Sequence, residues 1–227
     1  DSGLVALLGA IAARPDTEAH VVSGRARDAL DHWLGHLPVW LHAEHGFWSR
    51  APDSREWVPA AEPGGSWREP VLAILRDITA RTPGSMIETK AAAVAWHYRL
   101  ADPEIGARRA NELRLHLNQV LSNQPVEILP GHRLLEIRPF GIHKGRIVAQ
   151  LSSERLAGMA VLAIGDDRTD EDLFAALPAE AITIRVGPGP TRARFRLEGI
   201  GAVRALLQTL VDAGVGAGVT GPTAPRA

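Results

Sequence analysis

The 227-residue chain contains no cysteine. That absence excludes disulfides, thiolate zinc sites, iron–sulfur ligation and cysteine nucleophiles together. It is compatible with a reducing compartment, and a cytoplasmic location is expected. The sequence has no uninterrupted apolar run of the roughly 18–20 residues that a membrane helix requires, and no charged-then-apolar leader opens it. Neither a membrane span nor export is expected. Nor is one sign of charge in excess: 25 Lys plus Arg stand against 26 Asp plus Glu, a formal net charge of -1. Without a bulk positive field, nucleic acid and anionic membrane are not expected partners. Internal repeats are also missing.

What is present suits a folded protein. With 45% hydrophobic and 22% charged residues the chain has enough apolar surface to bury a core of ordinary size, which rules out global disorder. Its length allows one large domain or a core carrying a smaller insert, at roughly 100–200 residues per domain. It begins with Asp1 rather than Met and runs straight into the helical spacing of Leu4, Leu7, Leu8 and Ile11. A longer parent sequence is therefore expected. The six Trp residues are dispersed along the chain, which suits packing better than a stacking platform.

The opening pattern is helix, strand (Ala19 to Val22), helix (Ala26 to Leu34) and strand (Pro38 to Ala43). A stretch rich in Pro, Gly and charge from Arg50 to Pro70 then suggests a change of domain. From Pro70 the expectation is an α+β insert: a helix through Ile78, strands Met86 to Lys90 and Ala93 to Arg99, a long helix opened by Pro103, and strands at Val126 to Leu129 and Leu134 to Ile137. After Pro139 the doubly wound pattern resumes with helix Gly145 to Leu151, strand Ala160 to Ile164, helix Asp170 to Leu177, strand Ala181 to Val186 and helix Ile200 to Leu210. The expected fold class is α/β, a Rossmann-like core with an inserted α+β cap. Its expected parts are 1–53 (core), 54–132 (cap), 133–212 (core) and 213–227 (disordered tail).

In open α/β sheets the chemistry gathers at the carboxyl ends of strands. Three loops qualify: Ser23-Gly24-Arg25, Glu44-His45-Gly46 and Gly165 to Asp170. The run Gly165-Asp166-Asp167-Arg168-Thr169-Asp170-Glu171-Asp172 crowds carboxylates, which repel one another unless a cation neutralises them. Mg²⁺ suits such a site because it takes few protein ligands and also contacts phosphate. The last three acids equally suit the positive end of a helix. Ser23 after a strand could hold phosphate with its hydroxyl and the following N–H groups, or simply cap a helix. Lys144 could set an ammonium against phosphate oxygens, or be a solvated surface Lys.

In chain order, Val-Val-Ser23-Gly-Arg, Lys144 and the Gly-Asp-Asp-x-x-Asp run resemble three motifs of the haloacid dehalogenase superfamily of phosphatases. Arg81-Thr-Pro-Gly-Ser-Met-Ile-Glu-Thr-Lys90, Ala95-Trp-His-Tyr-Arg99, Ala101-Asp-Pro103 and Glu136-Ile-Arg-Pro139 narrow the match. With them the chain resembles the trehalose-6-phosphate phosphatase family, particularly domains fused to a trehalose-phosphate synthase. The resemblance implies an Mg²⁺-dependent phosphatase acting on trehalose 6-phosphate in the last step of trehalose synthesis, and a synthase domain in the same chain or complex.

Residue by residue, it implies that Ser23 and Lys144 bind the phosphoryl group, that Asp166 binds Mg²⁺, and that Asp170 is a ligand or supports one. Glu88 and Lys90 would hold the distal glucose and Glu136 would be a third sugar contact, with Arg25 and His45 as further substrate contacts. Charged partners strengthen bonds to sugar hydroxyls, though Glu88 and Lys90 also read as alternating outward residues of a strand. His97, Tyr98 and Arg99 read equally as strand-face packing and stay outside the expected site.

The family's nucleophile motif, Asp-x-Asp-Gly-Thr, is not in the sequence and is expected upstream of Asp1, on a strand central to the sheet. The 227 residues alone are expected to be inactive. The competing readings are a non-catalytic domain that regulates or scaffolds a synthase, and a phosphatase of another sugar phosphate, since specificity lives in the cap.

Overall fold

Asp1 caps the first helix, its carboxylate accepting from the N–H groups of Gly3 and Leu4, and α1 (Ser2–Ala12) packs against the last helix, α7 (Ile200–Val215). The Arg14 guanidinium donates to Leu210 O at 2.8 Å and ties these two ends together. The computed structural model describes residues 1–61, 64–151, 156 and 158–215. Among them no helix is long and apolar enough to cross a membrane. The expected tail falls in two parts: Ala213 still belongs to α7, and 216–227 lie outside the described residues.

The first sheet has the order β1 (His20–Val22), β2 (Trp40–Ala43), β3 (Trp48–Arg50), β4 (Val58–Pro59); β1 and β2 are parallel and the others antiparallel. Helix α2 (Arg27–Leu34) connects β1 to β2, as a parallel pair requires. Leu30, Val39, Leu41, Phe47 and Trp48 bury the core beneath it. Two- and three-residue strands are too short to show alternation, so β3 and β4 leave no signal in the sequence.

The second core sheet is wholly parallel, in the order β11 (Phe195–Leu197), β10 (Ile182–Val186), β9 (Leu162–Gly165). Helices α5 (Arg146–Gln150) and α6 (Asp170–Ala176) pack together beside it. Among the described residues the core strands thus fall in two sheets rather than one doubly wound sheet. A cavity of about 170 Å³ lies between them, with His20 and Val22 of β1 on one side and Leu162 to Ile164 of β9 on the other.

The insert is an antiparallel sheet of order β5 (Met86–Thr89), β6 (Val94–His97), β8 (Leu134–Pro139), β7 (Val126–Gly131), covered by α3 (Arg68–Ala80) and α4 (Pro103–Val120). Asp102 caps α4 and Pro103 opens it. Alternation gives this sheet two unlike faces. Ile87, Val94, Trp96, Ile128, Leu135 and Ile137 turn to the helices and pack against Val71, Leu75, Leu113 and Leu117. Fully burying one such side chain contributes about 1.5–3 kcal/mol.

Strand pairing corrects the limits of the insert expected at 54 and 132. Val58–Pro59 pairs with the first core sheet, and Leu134–Pro139 is an inner strand of the insert. Composition marked where the chain changes character, but pairing is decided by non-local partners.

Candidate functional site

Two core loops are stitched together by backbone hydrogen bonds: Ser23 N to His42 O (2.9 Å), His45 N to Ser23 O (2.9 Å) and Glu44 N to Arg25 O (3.0 Å). The second loop turns through three successive left-handed residues, Glu44 (φ 48°), His45 (φ 59°) and Gly46 (φ 90°). This sets the imidazole of His45 against Gly24, where a Cβ would lie 2.6 Å from the ring, so any larger residue at position 24 would displace the ring. Ser23 does not cap α2, whose N-cap is Ala26; its hydroxyl oxygen instead accepts from Arg25 N at 3.2 Å. Arg25 is exposed, and its guanidinium lies 5.0 Å above the Trp33 ring rather than over the loops.

Lys144 is buried, and its ammonium donates to Asp170 Oδ1 at 2.6 Å. The other oxygen of Asp170 accepts from Asp167 N at 2.8 Å. Both oxygens of this buried carboxylate are thus engaged, one by Lys144 and one by the backbone of the acidic loop. Its closeness explains Gly165, since a Cβ there would come within 2.3 Å of the Asp170 carboxyl carbon. Asp167 turns its carboxylate back to Arg168 N and the Thr169 hydroxyl. Asp166 is exposed, and among the described residues its carboxylate accepts no hydrogen bond. No group of three or more His, Asp or Glu among the described residues could hold a metal. Of the two carboxylates in the loop before α6, Asp167 is turned back on the loop and Asp166 is the one without a hydrogen-bond partner among the described residues. A single free loop carboxylate fits the chemistry of an ion that keeps several waters and often takes only one or two protein carboxylates.

The second face of the insert's sheet carries the charges. Glu88, Ala95 and Glu136 lie side by side across β5, β6 and β8, and Arg138 pairs with Glu127 across β8 and β7. Lys90 follows β5, with Nζ 3.9 Å from Glu88 Oε1 and 3.9 Å from Glu136 Oε2. The small Ala95 between the carboxylates leaves the ammonium room. Lys90 also reaches the core, its Nζ lying 3.5 Å from Gly24 O.

His45 is the junction of the two halves. Its pKa is pushed down to about 4, first by burial and then by the positive charges of Arg138, Lys144 and Lys90, against an opposing effect of Asp167. At neutral pH the ring is uncharged and stands among cations contributed by both core and insert. Of the residues expected to act, Ser23, His45, Lys90 and Lys144 therefore converge, Glu88 and Glu136 flank Lys90, and Arg25 lies apart.

Four contributors lie outside the site expected from the sequence. Buried Glu44 accepts from Ala92 N of the insert at 2.8 Å. Arg138 backs Glu136 and His97 backs Glu88. Arg185 donates to Asp167 O at 2.9 Å and holds the acidic loop from β10. Spacing alone could have found Arg138, two residues beyond Glu136 on the same strand face.

The fold defines the class first. A haloacid dehalogenase-like hydrolase from Bacteroides thetaiotaomicron, at 14% identity, shares the fold with a TM-score of 0.68, covering 92% of each chain. The trehalose-phosphatase pattern matches residues 1–199, and the chain belongs to that family. It is 43% identical over 210 residues to the bifunctional trehalose-6-phosphate synthase/phosphatase of Thermoproteus tenax, covering 92% of this chain and 28% of that protein. It superposes on the C-terminal domain of C. albicans trehalose-6-phosphate phosphatase with a TM-score of 0.80 at 31% identity, covering 93% of this chain and 84% of that one. The chain spans about a quarter of the length of the curated relatives it matches.

Proposed function

We propose that the complete protein hydrolyses trehalose 6-phosphate to trehalose and inorganic phosphate. The observation that carries this reading is the approach of Lys90 Nζ to Gly24 O at 3.5 Å. It brings a Glu–Lys–Glu set suited to sugar hydroxyls within one residue of Ser23, the expected phosphate ligand.

In this reading the Ser23 hydroxyl and Lys144 bind phosphoryl oxygens, and Asp170 keeps the Lys144 ammonium aimed. An aspartate outside the 227 residues attacks phosphorus, and the bond from phosphorus to the sugar oxygen breaks as a second aspartate donates a proton to that oxygen. Water then cleaves the aspartyl-phosphate. The strand bearing these aspartates would lie between β1 and β9, a placement supported by the cavity that both strands line. Bound Mg²⁺ would offset negative charge on the phosphoryl oxygens, with Asp166 as its ligand from this chain. Glu88, Lys90 and Glu136 hold the sugar, and His45, uncharged at neutral pH and set among Arg138, Lys144 and Lys90, is a further substrate contact. A synthase domain in the same chain is supported by the bifunctional description of the longer T. tenax relative. The working compartment is the cytoplasm.

The test is phosphate release by the complete gene product from a panel of sugar phosphates, with and without EDTA. Turnover of trehalose 6-phosphate that EDTA abolishes is expected. Equal or better turnover of glucose 6-phosphate would overturn the disaccharide assignment, and no release from any member would make this a non-catalytic domain.

A further inference from the structure

Glu88 and Glu136 are arranged as near mirror images about Lys90. Each turns one oxygen to the ammonium at 3.9 Å, too far for a direct hydrogen bond, and gives its other oxygen to a cationic or donating group on the far side. For Glu136 that group is Arg138, whose Nη1 lies 3.7 Å from Oε1 and whose Nε is held in turn by Glu127 at 2.8 Å. For Glu88 it is His97, whose Nε2 lies 2.7 Å from Oε2. The two long contacts leave ammonium protons available to a ligand hydroxyl, while the two outer contacts restrain the carboxylates that would accept from it.

The outer contacts are not equivalent. Arg138 is buried, and its removal would strand Glu127 and Glu136. His97 is partly exposed, with 26% of its side chain accessible, and Glu88 is the more exposed of the two carboxylates at 43%. A glutamate that exposed has several rotamers open to it, and its position is set by whatever holds it. The register explains why His97 does so: it lies on β6 opposite Met86, one pleat from Glu88 on the same face, so the pair is a diagonal neighbour across the strands.

We propose that His97 is a positioning residue of the sugar site, fixing Glu88 Oε2 so that Oε1 is presented towards Lys90. This rests on the reading of the Glu88–Lys90–Glu136 set as a sugar site. Without His97, binding a sugar hydroxyl would have to order Glu88 as well.

Trehalose binding to the full-length protein, measured by titration calorimetry, tests this without turnover. From the ordering cost of one rotamer-rich side chain, His97→Leu is expected to weaken binding about three- to tenfold. His97→Gln, which retains a donor of similar reach, should stay within about twofold of the parent protein. Because His97 acts through Glu88, adding His97→Leu to Glu88→Ala should cost nothing beyond Glu88→Ala alone. Unchanged affinity in His97→Leu, or losses that add in the double variant, would overturn the positioning role while leaving the sugar site standing. A parent protein that does not bind trehalose would overturn both. The unfolding midpoint of each variant separates a folding defect from a binding one, since a merely structural role would lower the midpoint and leave the affinity of the folded fraction unmoved.

Discussion

The buried carboxylate of Glu44, in the loop after β2, accepts the N–H of Ala92 at the tip of the insert's β5–β6 hairpin at 2.8 Å. The two residues are 48 apart in sequence. Arg68 holds the same tip from the other side through the carbonyls of Lys90 and Ala91. Through this contact the core fixes the hairpin end from which Lys90 projects back towards Gly24. A three-residue left-handed turn is an unfavourable conformation for Glu and His, and the contact to Ala92 is what that turn positions Glu44 to make.

Glu44→Ala should therefore damage stability and sugar binding together. It leaves the Ala92 N–H without its acceptor, a loss of about 1–3 kcal/mol. Chemical denaturation of Glu44→Ala and Glu44→Gln checks this, because Gln keeps an acceptor and should recover part of the loss. Faster amide exchange at Ala92 in the Ala variant is the local counterpart.

Removing Asp170 should cost more than neutralising it. Lys144 and Asp170 are both buried at 2.6 Å. Asp170→Ala would leave an uncompensated ammonium in the interior, which typically costs about 3–5 kcal/mol. Asp170→Asn keeps an acceptor for Lys144 or for Asp167 N and should lie between that variant and the parent. Urea midpoints of the three proteins give the order, and equal midpoints for the two variants would refute it.

The Arg50–Asp31 pair should matter for stability but not for sugar choice. Asp31 accepts from Arg50 Nη1 at 2.6 Å with one oxygen and from the Trp57 indole at 2.7 Å with the other. Arg50 is buried while Asp31 is partly exposed, so Asp31→Ala should cost about 2 kcal/mol, below the figure for a fully buried pair. The relative turnover of trehalose 6-phosphate and an aryl phosphate should not change.

Acid should destabilise the fold through His42. Its pKa is pushed down to about 3, chiefly by burial and further by His20, with whose ring it stacks and shares a 3.1 Å contact. The unfolded chain takes up this proton as pH falls through about 6.5 and the native chain does not until about 3. Stability is thus complete above pH 6.5 and is lost as pH falls, by up to about 1.4 kcal/mol per pH unit in that window. His45 contributes in the same direction, with its pKa at about 4. The melting temperature of His42→Gln should fall less steeply between pH 6.5 and 4 than that of the parent.

Sugar and phosphate residues should fail differently in the complete enzyme. If Lys90 holds the sugar as proposed, Lys90→Ala should make activity on trehalose 6-phosphate fall steeply while slow hydrolysis of a small aryl phosphate survives. Lys144→Ala should damage both substrates. The loss at Lys90 can extend to kcat, because remote binding energy also aligns the phosphate. Equal losses on the two substrates in Lys90→Ala would make the insert's charges structural.

The sequence by itself determined the elements with strong local signals. Asp102–Pro103 marks the start of a helix because capping and proline geometry act within a few residues. Met86–Thr89 and Val94–His97 read as paired strands because short runs rich in apolar and β-branched residues follow the turn at Pro83-Gly84. Chain order alone placed Ser23, Lys144 and the acidic run at strand ends and helix starts, and the family motifs named Glu88, Lys90 and Glu136. Only the tertiary structure decided that Glu44 grips Ala92, that His97 and Arg138 back the two glutamates, and that Asp170 pairs with Lys144 instead of standing free. It also paired Val58–Pro59 with the first core sheet and set the described core strands in two sheets. These are contacts between residues 9 to 48 positions apart or matters of strand partnership, with the two-residue step from Glu136 to Arg138 the exception. The free energy of such a contact depends on who the neighbour is and how much water is excluded, which no local pattern of the chain encodes.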